Sequence, residues 1–184
     1  PPSPPPAPPA PALKYLPPRR RDTFARMKGD KKIIDLLNDV LTAELTAINQ
    51  YFVHAEMCEN WGYDRLQKII RKHSIGEMKH AEELIERVLF LEGVPNVQRL
   101  GKITIGESVP EIMKVDYALE LEALPRLNEG IETCRELGDN NSRHLLEEIL
   151  EDEEEHVDWL EAQMALIEQV GVQNYLAQQI REEE

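Results

Sequence analysis

Two glutamate–histidine pairs with one spacing, Glu77/His80 and Glu153/His156, constrain this chain more than any other feature. Residues three apart stand on the same side of an α-helix, so each pair sets a carboxylate beside an imidazole, close enough to hold one metal ion between them. Direction matters more than spacing. Steps of three, four and seven lead from Glu77 to Ile70, Ala81 and Leu84, and from His80 to Leu84 and Val88. Glu153 shares its face with Leu146, Ile149, Leu150, Val157 and Leu160, and His156 shares its face with Ile149, Leu160 and Met164. Both pairs therefore point into the apolar stripe of a helix rather than toward water.

The surrounding pattern is helical on both sides of one long connection. Ile33, Ile34, Leu37, Val40, Leu41, Ala47, Ile48, Tyr51 and Phe52 predict a first helix from Asp30, as N-cap, to about Asn60. Leu66, Ile69, Ile70, Ile75, Leu84, Ile85, Val88 and Leu91 predict a second from about Tyr63 to Leu91, stopping at Gly93-Val94-Pro95. A third is expected over about Glu111 to Leu137 with Pro125 inside it. A fourth follows to about Val170, capped by Asn141 or Ser142, and a short fifth covers Val172 to Ile180 before the charged tail 181–184. The segment 93–109, with Gly93, Pro95, Gly101 and Gly106, is non-periodic. At roughly 3.3 Å per residue it can span about 56 Å, more than the roughly 45 Å of a 30-residue helix. It can return the chain to the far end of a bundle, making the second and third helices parallel. The fold class is all-α, a four-helix bundle with one long crossover and a short C-terminal helix.

The other two helices each aim one acid inward as well. Glu44 sits among Leu37, Val40, Leu41, Ile48 and Tyr51, and Glu120 among Ala123, Leu124, Leu127 and Ile131, whereas Glu122 shares its face with Arg126 and Glu129. Four buried carboxylates repel one another and lose their hydration, which two divalent cations would compensate. Oxygen and imidazole donors without thiolate suit iron or manganese, with zinc as competitor. Tyr51, beyond Ile48 on the Glu44 face, is either a donor or radical site beside the metals or a core tyrosine with a satisfied hydroxyl.

Composition narrows the alternatives. A net charge of -14 argues against a nucleic-acid surface, and Cys58 and Cys134 form no Cys-x-x-Cys pair, which fits a reducing, cytoplasmic compartment and removes a rubredoxin-type site. No apolar run reaches the roughly 20 residues of a membrane span. Residues 1–26 stand apart, with eight prolines in the first eleven and Arg19-Arg20-Arg21 near the end. Such a segment favours polyproline II or disorder. It is read either as a linker or sequence upstream of a start at Met27, or as an arm for a proline-recognising partner. The folded domain is expected over 27–184.

Over 27–184 the chain resembles the bacterioferritins. The matching stretches are Met27-Lys28-Gly29-Asp30, Glu44-Leu45, Ala47 to Phe52, Glu77-Met78-Lys79-His80, Ile85-Glu86-Arg87, Phe90-Leu91-Glu92-Gly93, Asp152-Glu153-Glu154 with His156, Asp158-Trp159-Leu160-Glu161, Gln173-Asn174-Tyr175-Leu176 and Gln179 to Glu183. The resemblance implies a ferritin-like bundle, whose established ligand pattern is a Glu from each of two helices and a Glu-x-x-His from each of the others. It implies iron storage and detoxification in a 24-subunit homo-oligomer built from two-fold dimers. It also implies ferroxidase activity with O₂ or H₂O₂ at two irons per subunit, and one haem b per subunit pair assisting iron release. A ferredoxin-type protein is a candidate electron donor. Carried over by position, the metal ligands are Glu44, Glu77, His80, Glu120, Glu153 and His156, with Glu77 and Glu153 bridging, Tyr51 nearby and Met78 as haem ligand. Met78 follows Glu77 by about 100° around the helix, off the metal-facing stripe. Some family members carry a histidine and an aspartate for a further inner-surface iron where this chain has Lys72 and Gly76, with His73 adjacent. Rival readings are a rubrerythrin-like peroxidase, a shell whose dimetal site is only structural, and a haem-only electron carrier.

Overall fold

Periodic apolar spacing becomes helix in each of the five predicted segments. The protein is described by a computed structural model over residues 28–180; the proline-rich segment and the C-terminal tail lie outside the described residues. The elements are α1 (Lys31–Asn60), α2 (Asp64–Phe90), α3 (Val109–Leu137), α4 (Asn140–Val170) and α5 (Val172–Ala177), with no strand among the described residues. Asp30 caps α1 by accepting the Lys32 N–H at 2.7 Å. Gly62, at φ +81°, turns the chain into α2 in a conformation that glycine adopts without Cβ strain.

Three boundaries differ from the expectation. Helix α3 begins at Val109, so Pro110 stands in its first turn, where a missing N–H breaks no helical hydrogen bond. The cap of α4 is Asp139 rather than Asn141 or Ser142: its carboxylate accepts the Ser142 N–H at 3.0 Å and the Ser142 hydroxyl at 2.8 Å. Helix α5 stops at Ala177, and the chain closes in i→i+3 turns through Gln178 and Gln179.

Hydrogen bonds trace the crossover along α1. Asn38 holds Val94 and Asn96, Asp39 pairs with Arg99, Thr46 Oγ1 accepts the Gly101 N–H, Gln50 Oε1 accepts that of Thr104, and His54 Nε2 accepts that of Gly106. The partners advance together, so the crossover runs in the direction of α1. Helix α3 then returns antiparallel to it, with Asp116 beside Gln50 and Gly130 against Leu36. Since α2 is also antiparallel to α1, with Gly29 bonded to Leu91, helices α2 and α3 are parallel as expected.

The core falls into two apolar clusters. One joins Leu37, Leu41, Leu84, Val88, Leu127 and Leu146, and the other joins Tyr51, Cys58, Leu66, Ile70, Ile112 and Leu160. On every long helix the inward-facing acid lies in the stretch between them. Phe52 and Ile75, included in the predicted stripes, are each 47 % exposed, because they face away from the bundle axis.

Candidate metal centre

The layer between the two clusters brings together all six of the carboxylates and imidazoles singled out from the helix faces. Glu44, Glu77, His80, Glu120 and Glu153 are buried, and His156 is nearly so. They form two overlapping groups, Glu44/Glu77/His80/Glu153 and Glu77/Glu120/Glu153/His156, each with its donor atoms within 4.8 Å of one another and each able to hold a metal ion. Glu77 and Glu153 belong to both. His80 Nδ1 lies 3.0 Å from Glu77, 3.4 Å from Glu44 and 3.7 Å from Glu153. His156 Nδ1 lies 3.1 Å from Glu77, 3.2 Å from Glu153 and 3.7 Å from Glu120.

The protonation pattern is that of a site in need of positive charge. Burial pushes Glu44 up to about 8 against the opposing pull of His80. Burial also raises Glu153 well above the carboxylate range, reinforced by the charges of Glu120 and Glu77. For Glu77 burial acts upward too, but hydrogen bonds from His156 and His80 more than offset it and hold the acid below its ordinary value. Burial disfavours a charged imidazole, yet the surrounding carboxylates raise His80 to about 11 and His156 to about 12. Protons on the imidazoles thus supply the cationic charge that metal ions would otherwise bring. Glu44 Oε2 and Glu77 Oε1 are buried and have only the imidazole nitrogens beside them, at 3.4 Å from His80 and 3.1 Å from His156, with no well-aligned hydrogen bond, which leaves acceptor capacity open toward a cation.

Around this layer stand Tyr51, already placed on the Glu44 face by spacing, and two residues that spacing did not assign to the site, Asp152 and His73. Asp152 Oδ2 accepts from His80 Nε2 at 2.9 Å, so the other ring nitrogen faces the carboxylates. The Tyr51 hydroxyl donates to Glu120, and burial followed by the Glu120 charge raises its pKa well above the usual phenol value. His73 is buried, stacked on His156, and pushed down to about 3 by burial and then by the neighbouring imidazole. Its position four residues before Glu77 was a usable signal. Asp152 gave none, because its partner lies on another helix.

Two grooves reach the layer from opposite sides of the bundle. One, of about 750 Å³ between α1 and α3, includes Glu44, Glu120 and Glu153 in its walls. The other, of about 760 Å³ between α2 and α4, includes His73, His80, Asp152 and His156. Met78 is outside the layer, 55 % exposed, with the half-exposed Ile75 one turn before it. Lys72 is exposed, and the position a Cβ on Gly76 would occupy has no heavy atom within 4 Å; neither residue belongs to the two donor groups.

Comparison with known proteins agrees with this fold. Residues 34–170 match the ferritin-like domain. The chain is 49 % identical over 152 residues to a bacterioferritin of Mycobacterium leprae, covering 83 % of this chain and 96 % of that protein. It is 49 % identical over 151 residues to one from Streptomyces coelicolor, covering 82 % and 90 %, and 44 % identical over 149 residues to one from Brucella melitensis, covering 81 % and 92 %. A helical bundle with the long crossover, two donor groups sharing Glu77 and Glu153, and similarity along nearly the whole of these relatives lead to one assignment: the chain belongs to the bacterioferritin family, within the ferritin-like proteins, whose business is iron storage.

Proposed function

We propose that the protein is a ferroxidase that oxidises Fe²⁺ within each subunit and stores the product as mineral in a 24-subunit homo-oligomeric shell. The observation that carries this reading is the sharing of Glu77 and Glu153 by two four-donor groups. Iron is the substrate. Glu77 and Glu153 bridge two ions, Glu44 and His80 complete one position, and Glu120 and His156 complete the other. Four carboxylates balance the four charges of two Fe²⁺, and on binding Glu44 and Glu153 give up their protons together with the imidazoles. Oxidation of the pair releases two electrons. These reduce O₂, with two protons, to H₂O₂, or reduce H₂O₂, with two protons, to water.

The side chains set distance and charge while the metals carry the redox change. The α1–α3 groove offers Fe²⁺ a path to the carboxylate side, and the α2–α4 groove meets the imidazole side. Tyr51, bonded to Glu120, fixes that carboxylate and stands where a one-electron donor to the pair would be needed.

Met78 suits haem b shared between two subunits, because the residue is more than half exposed and lies outside the subunit's own core. Met78 would be its ligand, and the group would there supply electron-transfer chemistry for reductive iron release, at a potential raised by thioether ligation. Among the described residues no helix is long and apolar enough to cross a membrane. With both thiols free and buried, we place the shell in the cytoplasm, where a ferredoxin-type protein would serve as electron donor.

Oxygen uptake after addition of Fe²⁺ tests the reading. Wild-type protein should consume O₂ rapidly, and a Glu44→Ala/His156→Ala variant should fall to the rate of free Fe²⁺. Wild-type rates from that variant would remove the proposed site.

A further inference from the structure

The two imidazoles of the metal layer are held in different ways. His80 has Asp152 on its Nε2, but His156 makes no hydrogen bond through Nε2 to any described residue. Its ring face is covered instead. His73 stacks on it with centroids 4.3 Å apart and planes 15° from parallel. His73 is in turn fixed by two edge contacts, Tyr51 at 5.5 Å and 87° and Trp159 at 5.0 Å and 78°. Tyr51 also meets His156 edge-on at 6.2 Å. Aromatic contacts of this geometry favour one ring orientation over its alternatives.

The Nδ1 of His73 is buried and has no hydrogen-bond partner, so that atom does not place the ring. Its contacts are those of a flat surface. His73 reaches from α2 across to His156 and Trp159 on α4, and its ring also helps form the wall of the α2–α4 groove. Without that ring, His156 has open groove beside it and nothing on its Nε2 to restrain rotation.

We propose that His73 is a positioning residue that clamps the His156 ring in its metal-facing orientation, performing by stacking for one metal position what Asp152 performs by hydrogen bonding for the other. This rests on reading Glu77, Glu120, Glu153 and His156 as one metal position. Its consequence is asymmetric: loss of the His73 ring loosens the Glu120/His156 position and spares the Glu44/His80 position.

Anaerobic Co²⁺ titration of metal-free full-length protein, followed through its d–d absorption, tests this. Wild type should bind two ions per subunit. His73→Ala should bind one with wild-type affinity and the other about tenfold more weakly, the lower end of what loss of an orienting contact to a ligand costs. His73→Phe keeps a ring face without nitrogen and should restore the second ion. The clamp is overturned if His73→Ala titrates as wild type, if His73→Phe is as weak as His73→Ala, or if both ions weaken equally. Wild-type protein that binds fewer than two Co²⁺ overturns the centre itself and the clamp with it, whereas two ions in wild type with no selective loss in His73→Ala overturns the clamp alone.

Discussion

Asp152, largely exposed on α4, bonds through Oδ2 to His80 Nε2 at 2.9 Å, while the opposite nitrogen of the same ring lies 3.0 Å from Glu77. The contact joins α4 to α2 and fixes which nitrogen faces the carboxylates. A ligand histidine oriented in this way typically loses 10–100-fold in metal affinity when its partner is removed. Asp152→Ala should therefore weaken the Glu44/His80 position by that factor in a Co²⁺ titration. Its thermal midpoint should stay near wild type, because the carboxylate is mostly in water. Unchanged Co²⁺ affinity would mean that the His80 ring is held by packing alone.

Glu44 gives the metal-free protein a pH signature. Burial raises its folded-state pKa from the ordinary 4.5 to about 8. A folded-state pKa above the unfolded one gives stability that is complete below about pH 4.5 and lost as the pH rises through 8. Glu44→Gln cannot acquire that buried charge. Relative to wild type its melting temperature should climb between pH 4.5 and 8 and level off above. A pH-independent difference between the two metal-free proteins would contradict the protonation state described for Glu44.

The helices, the crossover and the inward direction of six side chains were legible in the sequence, because each follows from a period of 3.6 residues and from loop reach. Glu120 separates from Glu122 on that basis alone, and the structure buries the first and exposes the second. Contacts between helices were not legible in that way. His80 with Asp152, His73 with His156, and His54 with Asp116 at 2.8 Å join residues far apart in the chain, where no periodicity links them. Phe52 and Ile75 show the converse limit. An apolar residue at helical spacing can face outward, and a single chain's pattern does not distinguish its own core from a surface that another subunit covers.

The crossover is seated by close backbone approach at Gly106. A Cβ there would lie 2.4 Å from the Ile112 backbone nitrogen and 2.7 Å from the Glu111 carbonyl carbon, and the Gly106 N–H donates to His54 Nε2 at 3.1 Å. Gly106→Ala must displace the start of α3 or break that bond. The expected cost is about 1–3 kcal/mol, read as a lower thermal midpoint, with Co²⁺ stoichiometry still two per subunit. An unchanged midpoint would show that the crossover is free to shift.

Met78 separates the haem proposal from the iron proposal. Its side chain is exposed and distant in direction from the buried donors, so Met78→Leu should abolish the haem absorption band of the purified protein. Particle size on a column and Fe²⁺-dependent oxygen uptake should be kept. Retained haem would assign the axial ligand to another residue.

The central claim is that six side chains form one centre for two metal ions, joined through Glu77 and Glu153. Anomalous diffraction at the iron edge, from crystals of the protein loaded anaerobically with Fe²⁺, examines it atom by atom. Two peaks per subunit are predicted, both bound by Glu77 and Glu153, one completed by Glu44 and His80 and the other by Glu120 and His156. A single peak, or two peaks without a shared carboxylate, would contradict it.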